Sequence, residues 1–164
     1  MPLYICYSGP MATSSAPSPV STGTSTKTLL QVAAPATRQL RLVEWGISFD
    51  GFQAAEPVRV ELVETDAAAT VTAHTASGVQ PYGDPNAPAS EVVLGSQATG
   101  YNASSEGSIS STRHAGLALI SPTSQFHYLW PLGREFVVAP GWYLRVRVTA
   151  AESVGAYAYV VWEE

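Results

Sequence analysis

Charge is scarce in this chain of 164 residues: 8 Lys and Arg, 13 Asp and Glu, a formal net charge of −5. That is 13% charged residues, about half the usual share for a soluble domain. No basic patch of the kind that duplex nucleic acid requires can be built from so few cations, so nucleic acid is not an expected partner. A free monomer ordinarily keeps itself soluble with more charge. The deficit fits a surface covered by partners or by further copies, and it equally fits a surface of Ser, Thr and Ala that is polar without charge. Cysteine is nearly absent too. Cys6 stands alone, which excludes an internal disulfide and gives secretion no support. Its neighbours Tyr4, Ile5 and Tyr7 mark it as a small buried hydrophobe. No run approaches the ~18 apolar residues of a spanning helix, and Met1 to Tyr7 lacks the basic start and long apolar run of a signal peptide. The expectation is a protein made in a cytoplasm with no membrane partner.

Helical periodicity is missing as well. In its place are many short stretches of alternating apolar and polar residues separated by Gly, Pro, Asn and Asp. The pattern predicts strands over Pro2–Tyr7, Thr28–Ala33, Arg38–Phe52, Pro57–Glu64, Gln125–Trp130, Glu135–Val138, Trp142–Thr149 and Val154–Trp162, with weaker candidates at 68–74, 91–94 and 117–120. In the second long run, Leu40 and Leu42 share one face while Val43, Trp45, Ile47 and Phe49 share the other. Because strand side chains alternate with period two, this change of phase predicts a bulge near Leu42–Val43. Residues 77–89 and 101–115, rich in Ser, Gly and Pro, read as loops. The whole is an all-β chain, a single β-sandwich or jelly roll with an extended N-terminal arm. The division is an arm and Ser/Thr/Pro-rich linker at 1–26 and the sandwich at 27–164. The uncharged linker 8–26 cannot offset its ordering entropy by burial of its own. The apolar tag ahead of it therefore docks either on the domain's own sheet edge, the default, or on a neighbouring subunit.

Catalytic and metal-binding sets are thin. The three histidines, His74, His114 and His127, stand in no recognisable spacing with an acid, and no Gly-x-Ser-x-Gly elbow exists. Zinc would require clustered Cys and His. Asp84 with Asn86, and Glu64 with Asp66, are weak calcium pairs better read as turn chemistry. The expected catalytic, metal and cofactor residues are accordingly none, and the chain is not expected to be an enzyme. In the C-terminal third, Trp142, Leu144, Val146 and Val148 alternate with Tyr143, Arg145, Arg147 and Thr149, and Tyr157 and Tyr159 alternate with Ala156, Ala158 and Trp162. Tyr and Arg are enriched at interface hot spots. The row Tyr143, Arg145, Arg147 beside Tyr157 and Tyr159, together with Tyr4 and Tyr7 of the arm, is the candidate interaction surface. Ordinary cross-strand pairing on a wet face accounts for the row equally well.

The arm at 8–26, the strand Leu40–Phe49 and the block Trp130–Arg147 give the chain a texture that resembles the small jelly-roll or sandwich proteins decorating capsids of tailed bacteriophages. The likeness covers most of the chain but includes no diagnostic motif, and it transfers no functional residue. It implies a non-enzymatic virion structural protein, a decoration or cement protein on the outside of the capsid. Such a protein forms a homotrimer, stabilises the expanded shell, and has the major capsid protein as partner. A carbohydrate- or receptor-binding sandwich module, or another head- or tail-associated virion protein, is the alternative. For glycans, the four tryptophans mostly alternate inward, leaving the loop residues Tyr82 and Tyr101 as stacking candidates.

Overall fold

The computed structural model describes residues 1–51 and 56–164. Two antiparallel sheets pack face to face. The elements are β1 (Leu3–Tyr7), β2 (Val20–Ser21), β3 (Lys27–Ala33), β4 (Leu40–Phe49), β5 (Val58–Thr65), β6 (Thr70–Ala73), β7 (Gln80–Pro81), β8 (Gly100–Ser105), β9 (Thr112–Ile120), β10 (Gln125–Leu129), β11 (Phe136–Val138), β12 (Tyr143–Thr149) and β13 (Gly155–Glu163). The first sheet runs β10-β4-β13-β1-β7, with β11 on β4 and β2 on β13; the second runs β6-β8-β3-β12-β5-β9. The one helical element among the described residues is a 3-10 turn, Ala76–Gly78, and none is long and apolar enough to cross a membrane. An all-β sandwich is therefore what the chain forms.

Alternation places the core as the sequence implies. Leu144, Val146 and Val148 of β12 and Val58, Val60 and Leu62 of β5 face Ala156, Ala158, Val160 and Trp162 of β13, all buried. The bulge falls at Val43. Glu44 pairs with Val161 and Leu42 with Trp162, so Val43 is the extra residue. This brings Leu40 and Leu42 onto the same inward face as Trp45 and Ile47, reconciling the two phases. The free carbonyl of Val43 accepts the Trp130 N–H at 3.0 Å, in the gap between β10 and β11. Phe52, the last residue of the expected strand, lies outside the described residues.

The N-terminal segment is not a detached arm. Strand β1 lies inside the first sheet, paired with β13 from Leu3↔Glu163 to Tyr7↔Tyr159 and with β7 on its other edge. Tyr4 and Cys6 are core residues, and the Tyr4 hydroxyl donates to the Pro88 carbonyl at 2.8 Å. Burial pushes the Cys6 thiol pKa well up, in keeping with a packed hydrophobe. Ser8 prolongs the pairing: its N–H donates to Ala158 O, and its hydroxyl accepts the Ala158 N–H, both at 2.8 Å. The boundary between 1–26 and 27–164 thus runs through one sheet, since β2 also pairs with β13. Most of 101–115 is strand as well, because β8 takes in residues 101–105 and β9 starts at Thr112, where a register shift lets it follow β5 to Ile120.

His74 anchors the end of β1. The ring is buried against Tyr101, with centroids 4.9 Å apart, and Nε2–H donates to the Tyr7 carbonyl at 2.7 Å. Gly78 makes room for it: a Cβ there would lie 2.4 Å from Nδ1. Burial lowers the imidazole pKa, and the bond to Tyr7 opposes this only in part. Above the ordinary value of about 6.5, folded and unfolded chains both hold a neutral ring. Below it the unfolded chain takes up a proton that the folded one resists, so stability falls with falling pH. Urea midpoints at pH 7.5 and 5.0 should accordingly drop further for the wild type than for His74→Gln; equal drops would refute it. Deletion of residues 1–8 removes Tyr4, Ile5 and Cys6 from the interior, worth on the order of 5 kcal/mol, comparable with a whole domain's net stability. The truncated chain should show no cooperative thermal transition by circular dichroism.

Candidate contact surfaces

The expected row of tyrosines and arginines is split between the two outer faces of the sandwich. Tyr143, Arg145 and Arg147 lie on β12, whose neighbours are β3 and β5; Tyr157 and Tyr159 lie on β13 in the other sheet. Consecutive strands here cross from one sheet to the other, so sequence neighbours do not become sheet neighbours.

Arg145 is fully buried and is no contact residue. The stretch from Thr65 to Val71 and the turn at Glu106–Gly107 cover the outer face of β3 and β12. Arg145 Nη1 donates to Glu106 O at 3.0 Å and to Glu106 Oε2 at 3.2 Å, and Nη2 donates to Ala67 O. Glu106 in turn accepts the Thr28 N–H and hydroxyl, each at 2.6 Å. Beside it Gln31, also buried, accepts the Ala69 N–H at 2.8 Å and donates to Ala98 O at 2.6 Å. Burial draws the Arg145 pKa down while Glu106 opposes it. Arg147 is largely covered and bonded to Glu61, whose other oxygen lies 3.0 Å from His114 Nε2. Burial alone would raise the Glu61 carboxyl; Arg147 and His114 hold it below its usual range. Tyr143 is half-buried.

The acidic pairs serve structure. Glu64, turned inward, accepts Arg113 Nε and the Ala139 N–H, both at 2.6 Å, and so joins the two sheets. Asp66 accepts the N–H groups of Ser110 and Ser111, which hold its carboxyl below the usual range. Asp84 accepts the Asn86 N–H. Among the described residues no three His, Cys, Asp or Glu side chains gather where a metal could sit.

Tyr7, Tyr157 and Tyr159 do come together, on the outer face of the first sheet. Tyr7↔Tyr159, Tyr159↔Gly46 and Gly46↔His127 are opposite one another across β1, β13, β4 and β10. The Tyr159 ring lies 5.7 Å from that of Tyr7 and 5.6 Å from that of His127. Gly46 permits this, since a Cβ there would lie 2.5 Å from both His127 Nδ1 and Tyr159 Cε1. The Tyr159 hydroxyl donates to Glu44 and accepts from His127 Nδ1 at 2.9 Å. Burial, then the bond to Glu44, raises the Tyr159 pKa far above its ordinary value. The segment Gly9–Pro17 folds back along this row, and the Tyr157 hydroxyl donates to the Pro17 carbonyl. Between strap and sheet runs a groove of about 630 Å³, lined by Tyr7, Pro10, Met11, Pro17, Tyr157 and Tyr159, with His127 and Ser48 also on its wall. Nothing in the sequence foretold His127 as a member, although its pairing opposite Gly46 is the reason it joins. Of the two tyrosines expected in loops, Tyr82 is exposed, whereas Tyr101 lies on β8 opposite Leu30 and is half-buried against His74.

A second surface lies along one flank. Among the described residues strand β9 is one edge of the second sheet and β10 one edge of the first, and both sit over Trp45. A Cβ on Gly116 would lie 3.1 Å from the indole, and Phe126 packs on it at 5.3 Å. Leu117, Leu119, Tyr128, Leu129 and Leu132 are exposed there, Leu117 by 72% and Leu132 by 98%.

No family model, no curated protein and no solved structure matches this chain. Removal of the Arg145 charge leaves Glu106 without its cation and the strap over β12 untied. Arg145→Met should cost about 3 kcal/mol in urea unfolding. Arg145→Met with Glu106→Gln should recover part of that loss, and an unchanged midpoint in the single variant would show the pair to be unimportant.

Proposed function

We propose that this chain is a non-enzymatic assembly protein that works by contact through the flank formed by β9 and β10. In its most concrete form it is a decoration protein on the outside of a tailed-bacteriophage capsid, associating with copies of itself as a trimer and with the major capsid protein. The observation that carries the assembly reading is the pair of adjacent open edges bearing exposed leucines. Unpaired edge groups are templates for a further strand, and monomers commonly blunt them with charge or proline. On β9 the outward residues at 117 and 119 are leucines, beside a shallow depression lined by Arg59, Glu61 and Thr149. The capsid form rests on the resemblance in texture and on the sandwich fold, which many unrelated proteins share. With β1 held in its own sheet, attachment falls to the flank and not to an arm.

A carbohydrate- or receptor-binding module is the second reading, favoured by the exposed rings of Tyr7 and Tyr157. Sedimentation velocity separates the two. The wild-type protein should self-associate, and Leu117→Lys with Leu119→Lys should weaken association at least tenfold without lowering the thermal midpoint. A chain that stays monomeric at every concentration and ignores capsid shells would overturn the assembly proposal.

A further inference from the structure

The groove on the outer face of the first sheet is separate from the flank and has a distinct chemistry. Its lining holds no Lys, Arg, Asp or Glu, so nothing in it would compensate the desolvation of a charged ligand. The walls are rings: Tyr7, Tyr159 and His127 in a row, Tyr157 beside them, and Pro10 and Pro17 opposite. Polar groups are few. The Tyr157 and Tyr159 hydroxyls are engaged by Pro17 and Glu44. Both His127 nitrogens are engaged, by Tyr159 and by Gln125, so the ring offers its face, and the hydroxyls of Tyr7 and Ser48 remain to meet a ligand.

Those leftovers suit one ligand chemistry better than another. A sugar brings several hydroxyls that each seek donors and acceptors, and a buried hydroxyl left unpaired weakens binding. A polyproline II segment brings pyrrolidine faces and carbonyls only, and it is stiff before it binds. Aromatic grooves hold such segments by ring packing plus donation from ring-borne N–H or O–H groups to the carbonyls. One instance of that contact is already present within the chain, where Tyr157 donates to the carbonyl of Pro17 in Ala16-Pro-Ser-Pro19.

We propose that this groove binds an uncharged, proline-rich segment of a partner protein in the polyproline II conformation, with Tyr7, Tyr157 and His127 as its contact residues. The site is independent of the assembly reading: Leu117→Lys with Leu119→Lys should leave it intact.

The test is a titration of the full-length, isotope-labelled chain with acetyl-(Pro)8-amide, followed by amide and aromatic NMR shifts, with a panel of neutral oligosaccharides in parallel. Saturable shifts confined to Tyr7, Met11, His127, Tyr157 and Tyr159 are expected. Tyr7→Ala should weaken binding at least tenfold, and Tyr7→Phe should retain more of it than Tyr7→Ala. His127→Ala, on an exposed edge strand, provides a second variant should Tyr7→Ala disturb β1. Thermal unfolding of each variant reports whether the fold persists. Absence of saturable shifts with the peptide, shifts with an oligosaccharide alone, or undiminished peptide binding in both alanine variants would each overturn the proposal.

Discussion

Strand β13 is hydrogen-bonded along both edges, by β4 on one side and by β1, Ser8 and β2 on the other. Because its side chains alternate, one strand serves two surfaces. The inward set, Ala156, Ala158, Val160 and Trp162, closes the core against β12 and β5. The outward set places Tyr157 and Tyr159 where Tyr7 from β1 and His127 from β10 can reach them. Without β1 in place the ring row would lose one end, and the strap from Gly9 to Pro17 would have no fixed start. The core and the groove are therefore two results of the same ladder.

Legibility in the sequence followed the physics of alternation and stopped where alternation stops. Period two was enough to put Leu144, Val146 and Val148 inside and to locate the bulge at Val43, because a change of phase leaves a mark in the residue order itself. It could not say what covers an outward face. Arg145 points away from the core as expected, yet it is buried, because residues 65–71 and 106–107, two segments of Thr, Asp, Ala, Val, Glu and Gly, fold over it. Adjacency was illegible for a related reason. The short link between β12 and β13 crosses from one sheet to the other, so Tyr143 and Tyr157 ended on opposite faces. In the candidate site, Tyr7, Tyr157 and Tyr159 were readable as outward aromatics. His127 and the strap were not, since their places depend on long-range register.

The scarcity of charge takes on a spatial meaning once ion pairs are placed. Arg38, Arg41, Arg113, Arg145 and Arg147 are each paired with a glutamate. Two of these pairs, Arg145–Glu106 and Arg113–Glu64, fasten covering segments or join the sheets. Charge committed to internal fastening is not available for solvation. The groove is left as a surface whose lining holds no Lys, Arg, Asp or Glu, and such a surface favours contact with other molecules over isolation in water.

The register Leu3↔Glu163 has a consequence in time. Strand β1 has no partner on its β13 side until almost all of the sequence between them has emerged. Closing that span is entropically slow, and chains dominated by such distant pairings fold late and as a unit. Until then Leu3-Tyr-Ile-Cys-Tyr7 has only the short β7 to pair with, and its apolar side chains lack their cover. The same segment that completes the native core is thus the chain's main exposure to mispairing during its own biogenesis.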